Sequence, residues 1–340
     1  MKKLRYLCVL LSALMLTGCG AGSGAESGAS YAPSEDERLV VYTSHKEEVW
    51  RPIVLEFEER TGIWVDVVTG GSNELLERIA SESDAPAADV MFGGGVDTIE
   101  VYRDCLEPYV SPEMAAVPEL YHSPDGVWTP FSVLPVVLIY NTKLIDSGAI
   151  TGWSDLLQSG YRGKIAFADP NVSGSCFTSL MTLLQAVGGD VDDTLLAFAD
   201  NLGGLELDSS GDVLTAVANG SCWVGITLEE TALKRRDAGD SIDLIYPDDG
   251  TSLVPDGTAI VKGAAHMENA QRFIDFTVGR DVQQLLSGLY RRSVRSDVEP
   301  GALPELSQLK VLDYDIPWAS AHHDEVLMSW AFYLDREERS

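Results

Sequence analysis

Between residues 39 and 95 the chain repeats one pattern that narrows its fold more than any other feature. A short β-branched apolar run breaks into small polar residues, and a segment with helical spacing follows. LVVYTSH (39–45) reads as a buried strand and a loop. Lys46–Arg60 carries Val49, Ile53 and Phe57 at helical spacing, and Thr61-Gly62 closes it. IWVDVVT (63–69) is a second strand. GGSNELLERIASES follows, with Ser72 or Asn73 as the expected N-cap of a helix. ADVMFGGG (88–95) is a third strand, ending in glycines. Strand–helix alternation with tight glycine loops at strand C-termini predicts a doubly wound α/β sheet. Ligands of such sheets sit beyond the carboxyl ends of the strands. Those ends carry Ser44 and His45, then Thr69, Gly70 and Ser72, then Gly93 and Gly94.

The remainder predicts a second lobe of the same class. WTPFSVLPVVLIYNTKLI (128–145) is extended, apolar and punctuated by proline, as suits a strand leaving one lobe for another. WSDLL (153–157) predicts a helix capped by Ser154, and GKIAFADP (163–170) a strand. SGSCFTSLMTLLQAVGG (173–189) predicts a helix closed by Gly188-Gly189. Residues 209–230 give a helix and then a strand, and 242–261 is extended and returns to the first lobe. Further helices begin near Asn269 and Asp281. The expected fold is α/β, with two doubly wound lobes joined by strand hinges: residues 39–134 with 252–300, and 135–251 with 301–340. About 300 residues are natural for two lobes and many for one core.

The N-terminus reads MKKLRYLCVLLSALMLTGCG. Lys2, Lys3 and Arg5 precede an apolar stretch, Leu7–Leu16, too short to span a bilayer comfortably. Leu16-Thr17-Gly18-Cys19 resembles the bacterial lipobox, which implies a signal peptide over 1–18 and a lipid on Cys19. The Gly-, Ser- and Ala-rich stretch to residue 38 predicts a flexible tether. The chain is expected to be exported and held at the membrane by that lipid alone, in the periplasm if the host has an outer membrane. The formal net charge is −29, and the leader carries three positive charges and no acid, so the mature body stands near −32. Such a surface argues against nucleic acid and against anionic membranes as partners. Of five cysteines, Cys105, Cys176 and Cys222 lie in the body without CxxC spacing, so neither a disulfide framework nor a zinc site is expected.

No P-loop, dinucleotide fingerprint, GxSxG elbow or HExxH is present. Ser44-His45 are adjacent and poorly disposed to aim at one reacting atom, so no catalytic pair is expected. His322-His323 read as solvated surface. ADPNVSGSCFTSL (168–180) places Ser173-Gly174-Ser175 where a helix begins. The unpaired N–H groups there carry about half a positive charge. Two readings are compatible: the serines cap the helix, or the turn cradles an anion without any cationic side chain.

The segments LVVYTSH, TGIWVDVV, ADVMFGGG, WTPFSVLPVVLIYN, RGKIAFADPNVSGS, VPDGTAIVKGA and AQRFIDF, in this order, resemble the extracellular solute-binding proteins of ABC importers. The branch is the one that includes ferric-ion, 2-aminoethylphosphonate and sugar-phosphate binders. The resemblance covers essentially all of 39–300. It implies the periplasmic-binding-protein-like (type 2) fold, closure of two lobes around a ligand, no cofactor and no catalysis. It also implies a permease and its ATPase as partners, with the chain acting as a monomer. Ferric members use a His after the first strand, a carboxylate after the third, and two adjacent Tyr after the strand matching Trp223–Thr227. Here His45 remains, Gly93-Gly94 replace the carboxylate, and Glu229-Glu230 replace the Tyr pair. In ferric members the Ser-Gly turn holds the phosphate that completes the iron shell, and that turn is Ser173-Gly174-Ser175 here.

The expected guest is therefore a small phosphorylated organic solute, a sugar phosphate or phosphonate. Its anion would meet Ser173, Gly174 and Ser175, with Ser44, His45, Thr69, Gly70, Ser72, Gly93 and Gly94 opposite. Ser209, Ser210 and Thr227 complete the second-lobe wall. Glu229 and Glu230 would take hydroxyls or an ammonium. Ferric iron is the alternative within the class, and a lipoprotein phosphohydrolase the alternative outside it. Arg291, Arg292 and Arg295 form a basic cluster whose role the sequence leaves open among anion binding, permease docking and pairing with acids. Trp128 is a further candidate at the cleft edge.

Overall fold

The computed structural model describes residues 33–338. The expected leader, Cys19 and most of the tether lie outside the described residues. Glu35–Glu37 form a 3-10 turn, and the first strand begins at Arg38, one residue earlier than expected.

Two sheets organise the chain. The first has the order Arg292–Ser293, Thr129–Val133, Pro255–Val261, Val90–Gly95, Arg38–Thr43, Trp64–Thr69, with Leu106–Glu107 also paired to Pro255–Val261. Its three N-terminal strands are parallel, with Val41 beside both Val67 and Val90. Period-2 alternation sends successive side chains to opposite faces. Val90 and Phe92 join Phe57 and Phe273 in one layer, whereas Met91 joins Leu76 and Ile99 in the other. The second sheet has the order Ile165–Ala166, Val224–Leu228, Val136–Asn141, Ile242–Ile245. Its core gathers Val136–Tyr140 with Phe167, Phe177, Phe198 and Trp330. Each such side chain contributes roughly 1.5–3 kcal/mol of burial.

The run 128–145 is two strands rather than one. Thr129–Val133 belongs to the first sheet and Val136–Asn141 to the second, with Leu134-Pro135 between. Proline has no N–H to give a ladder, so the break falls there. The chain returns between Ile245 and Pro255.

Some elements depart from expectation. Trp153–Leu157 is a 3-10 helix with Gly152, not Ser154, at its N-cap, because Asp249 accepts from the Trp153 N–H at 2.9 Å. Only Ile165–Ala166 of 163–170 joins the ladder. Two helices beyond residue 300 were not foreseen, Ile316–Ala321 and His323–Glu338. The first packs on Val96–Val101, beside the first sheet, and the second on Val191–Leu202, beside the second sheet. Residues 301–340, expected with the second lobe, thus touch both. His323 is buried against the Phe177 ring, 4.6 Å between centroids, and His322 stacks on Trp318. The expectation of a solvated pair fails because an amphipathic helix starts there.

Candidate functional site

A cleft of about 360 Å³ lies between the two sheets. Five helices begin at it: Glu47–Thr61, Ser72–Ser81, Gly174–Val187, Ser210–Asn219 and Glu229–Asp237. Their N-cap residues, Lys46, Gly71, Ser173, Ser209 and Leu228, all line it. The cause is local in each case. Strands ending at Thr43, Thr69 and Leu228 turn into three of the helices, and the loops that end in Ser173 and Ser209 turn into the other two at the same edge. The unpaired amides and helix dipoles point at one volume, an arrangement suited to an anion.

Of the residues expected here, Ser44, His45, Gly70, Ser72, Gly94, Ser173, Gly174, Ser175, Ser209, Ser210, Thr227 and Glu230 line the cleft. Thr69 is exposed at the end of its strand and is not in the wall. Gly93 lies behind the wall. Its φ is +106°, and a Cβ there would meet Ser44 Oγ at 2.8 Å and the His45 ring at 3.1 Å. No carboxylate fits that position because the loop after the first strand fills the space.

The turn at 173–175 does two jobs. Ser173 caps its helix, accepting from the Cys176 N–H at 3.4 Å, and its hydroxyl is 3.0 Å from that of Ser175. Gly174 N–H donates to Ser72 Oγ across the cleft at 3.2 Å. Nearby, Asn73 Nδ2 donates to the carbonyls of Pro170 and Asn171, each at 3.1 Å. Ser209 is held by its own helix, donating to Asp212 at 2.6 Å. Thr227 pairs its hydroxyl with that of Thr231 at 2.9 Å.

The two adjacent glutamates part company. Glu230 faces the cleft. Its Oε2 forms an ion pair with Arg291 Nε at 2.8 Å, with the N–H off the contact line, and its Oε1 accepts from Lys234 Nζ at 2.6 Å. Burial pushes the Glu230 carboxyl up, but Arg291 and Lys234 together outweigh it and hold it below the usual range. Glu229 points the other way. It receives both forks of Arg292 at 2.7 Å and the Tyr246 hydroxyl, and it is fully buried. The expectation that both glutamates face the guest is corrected: residues one apart on a helix lie on different faces.

Two further residues matter at this end: Asp256, which was not among the expected set, and Arg291, whose role the sequence left open. Asp256 lines the cleft from strand Pro255–Val261. It accepts from the Ser132 N–H and hydroxyl, both at 2.7 Å, and from Arg291 Nη1 at 2.6 Å. A carboxylate inside a buried apolar strand was the available signal. Arg291 itself lines the cleft, is almost fully buried, and also reaches Ser132 Oγ at 2.9 Å. Arg292 is spent on Glu229, and Arg295 on Asp297 and Glu113 at 2.8 and 2.6 Å. Pairing with acids is thus the observed state of all three arginines.

His45 is buried between Phe92 and Phe131, with centroids at 4.4 and 5.2 Å. Burial, and secondarily the Arg291 charge, holds its imidazole well below the ordinary value, so it is neutral at pH 7. Its Nε2 has no hydrogen-bond partner and lies 3.6 Å from Asp256 Oδ2. Trp128 is buried in the first lobe, donating to Glu100 at 2.7 Å, and does not reach the cleft. Thr178 was also missed. It lines the cleft and donates to Asp97 across the lobes at 2.9 Å, while Tyr314 donates to the same carboxylate at 2.7 Å. Among the described residues, no group of three or more His, Cys, Asp or Glu could hold a metal ion.

Residues 89–317 match the family model described as bacterial extracellular solute-binding protein. The chain is 26% identical over 300 residues to iron uptake protein A1 of Synechocystis sp., covering 82% of this chain and 81% of that protein. It is 26% identical over 256 residues to a putative 2-aminoethylphosphonate-binding periplasmic protein of Salmonella typhimurium, covering 72% and 73%. In fold it is similar to the periplasmic binding protein AfuA of Actinobacillus pleuropneumoniae, solved with fructose-6-phosphate. The TM-score is 0.80 at 23% identity, over 88% of this chain and 98% of that one. The ferric binding protein of Campylobacter jejuni gives 0.78 at 19% identity, over 87% and 99%.

Proposed function

Because the chain belongs to the bacterial extracellular solute-binding proteins, we propose that it captures a small phosphorylated organic solute between its lobes and delivers it to an ABC permease. The observation that carries the choice of guest is the convergence of five helix N-termini on one cleft. They offer a dianion N–H donors and dipoles from both lobes at once. Ser173, Gly174 and Ser175 take the anion from the second lobe, and Ser44, Gly70 and Ser72 take it from the first. Capture without turnover fits a site whose buried lining carboxylates, Glu230 and Asp256, are held by Arg291 and Lys234. The N-terminal reading completes the picture as part of the same proposal: export, a lipid on Cys19 as the only membrane contact, and a lobe division at 134–135 and 251–252.

Relatives that carry iron in their names favour ferric ion as a second reading. Against it stand Glu229 and Glu230 where ferric members present two phenolates, and both glutamates are already paired with Arg292, Arg291 and Lys234. A thermal-shift panel of sugar phosphates, phosphonates, inorganic phosphate and ferric citrate separates the two. Organophosphates raise the melting temperature of the wild type, and Ser175→Asp, which sets a like charge in the cradle, abolishes that rise. A rise with ferric citrate alone, accompanied by a visible charge-transfer band, sinks the organophosphate reading.

A further inference from the structure

The second end of the guest can be read from the charges that surround it, on the premise that helix N-termini hold its anion as proposed above. We infer that this second end is neutral and hydroxylated, and that the cleft discriminates against an ammonium there.

The two lining carboxylates at this end are spent within the protein. Asp256 Oδ1 accepts twice from Ser132, and Oδ2 is held by Arg291 at 2.6 Å. Glu230 Oε2 faces Arg291 at 2.8 Å, and Oε1 faces Lys234 at 2.6 Å. Arg291 therefore bridges an acid of each lobe, and every carboxylate oxygen has a donor or cation beside it. A ligand ammonium would shed its water without meeting an unpaired acid, and it would stand near the buried guanidinium. Asp208, the remaining lining acid, is exposed on the rim beside Ser209, where solvent screens it.

His45 supplies the second, independent observation. The residue is only 7% exposed, lines the cleft, and leaves Nε2 without a partner. A buried polar atom in that state awaits one. A hydroxyl both donates and accepts, so it satisfies Nε2 in either tautomer and can accept from Arg291 as well. An ammonium only donates and meets the Arg291 charge instead. Leu134, Val172 and Val254 complete the wall with apolar surface suited to a carbon skeleton.

The test is a matched pair of ligands, 2-hydroxyethylphosphonate and 2-aminoethylphosphonate, titrated calorimetrically into the purified full-length protein beside inorganic phosphate. The hydroxyl compound binds at least tenfold tighter than the amine. Arg291→Met uncovers Asp256 and Glu230 and inverts that order. Where Arg291→Met fails to fold, Glu230→Gln serves: it leaves the Arg291 charge less compensated and widens the preference for the hydroxyl. Equal affinities, or a preference of the wild type for the amine, overturn this inference while leaving the anion cradle standing. No binding of any of the three, phosphate included, removes the cradle and this inference together.

Discussion

The N–H of Gly174 in the second lobe donates to the hydroxyl of Ser72 in the first at 3.2 Å, and a methyl group at position 174 would lie 2.2 Å from that oxygen. The glycine is therefore required by the approach of the opposite lobe, and an anion inherits the space that remains.

Gly174→Ala should hold the lobes apart. Alanine suits the first position of a helix, so the unliganded melting temperature should change by no more than a few degrees. Ligand affinity should fall at least tenfold, and small-angle scattering should show no contraction on adding ligand. Normal contraction would remove Gly174 from the closure step.

Glu229→Ala should act on stability rather than recognition. It leaves the buried Arg292 uncompensated, which costs about 3–5 kcal/mol. Chemical denaturation of Glu229→Ala against the double variant Glu229→Leu, Arg292→Met checks this, since the double variant removes both charges and should recover much of the loss. A full loss in the double variant contradicts the argument.

His45 should make folding weaken in mild acid. The unfolded chain takes up a proton near pH 6.5, whereas the buried imidazole beside Arg291 resists it until well below that. Between those two points the unfolded state holds the extra proton, so stability rises with pH and is lost as pH falls below 6.5. The slope is at most about 1.4 kcal/mol per pH unit. Urea unfolding of wild type and His45→Gln at pH 5 and pH 7 should show a flatter dependence in the variant. Parallel curves would refute it.

Tyr314→Phe should loosen the contact between lobes. Its hydroxyl is one of the donors that support the buried Asp97 carboxylate, whose proton affinity burial raises. Losing a bond to a charged group costs about 2 kcal/mol. Hydrogen exchange should therefore quicken at the start of helix Val96–Val101 and near Thr178. Unchanged protection at both places would count against the link.

What the sequence disclosed was whatever is decided within a few residues. Ser173-Gly174-Ser175 and Ser209 sit where capping chemistry places them, so these loop ends of the cleft could be named in advance, whereas the cap expected at Ser72 or Asn73 falls one residue earlier, on Gly71. The hinge at Leu134-Pro135 was half legible: the proline was seen, the break it causes was not. That the arginines pair with acids was among the readings, but the partners were hidden, because Arg291 meets Asp256 and Glu230 only after distant parts of the chain are side by side. Glu229 and Glu230 were read as one feature, although helical geometry separates neighbours by about 100°. The helix His323–Glu338 was missed because charged residues at both ends masked Val326, Leu327 and Trp330 at helical spacing.

Phe92 and Phe273 pack within one lobe, and Phe167, Phe198 and Trp330 within the other. Domain parting thus leaves each packed core whole and uncovers amides, hydroxyls, paired ions and a few apolar side chains such as Leu134, Val172 and Val254. Opening and shutting should then carry a far smaller heat-capacity change than unfolding does, so the enthalpy of that motion should stay nearly constant as temperature varies.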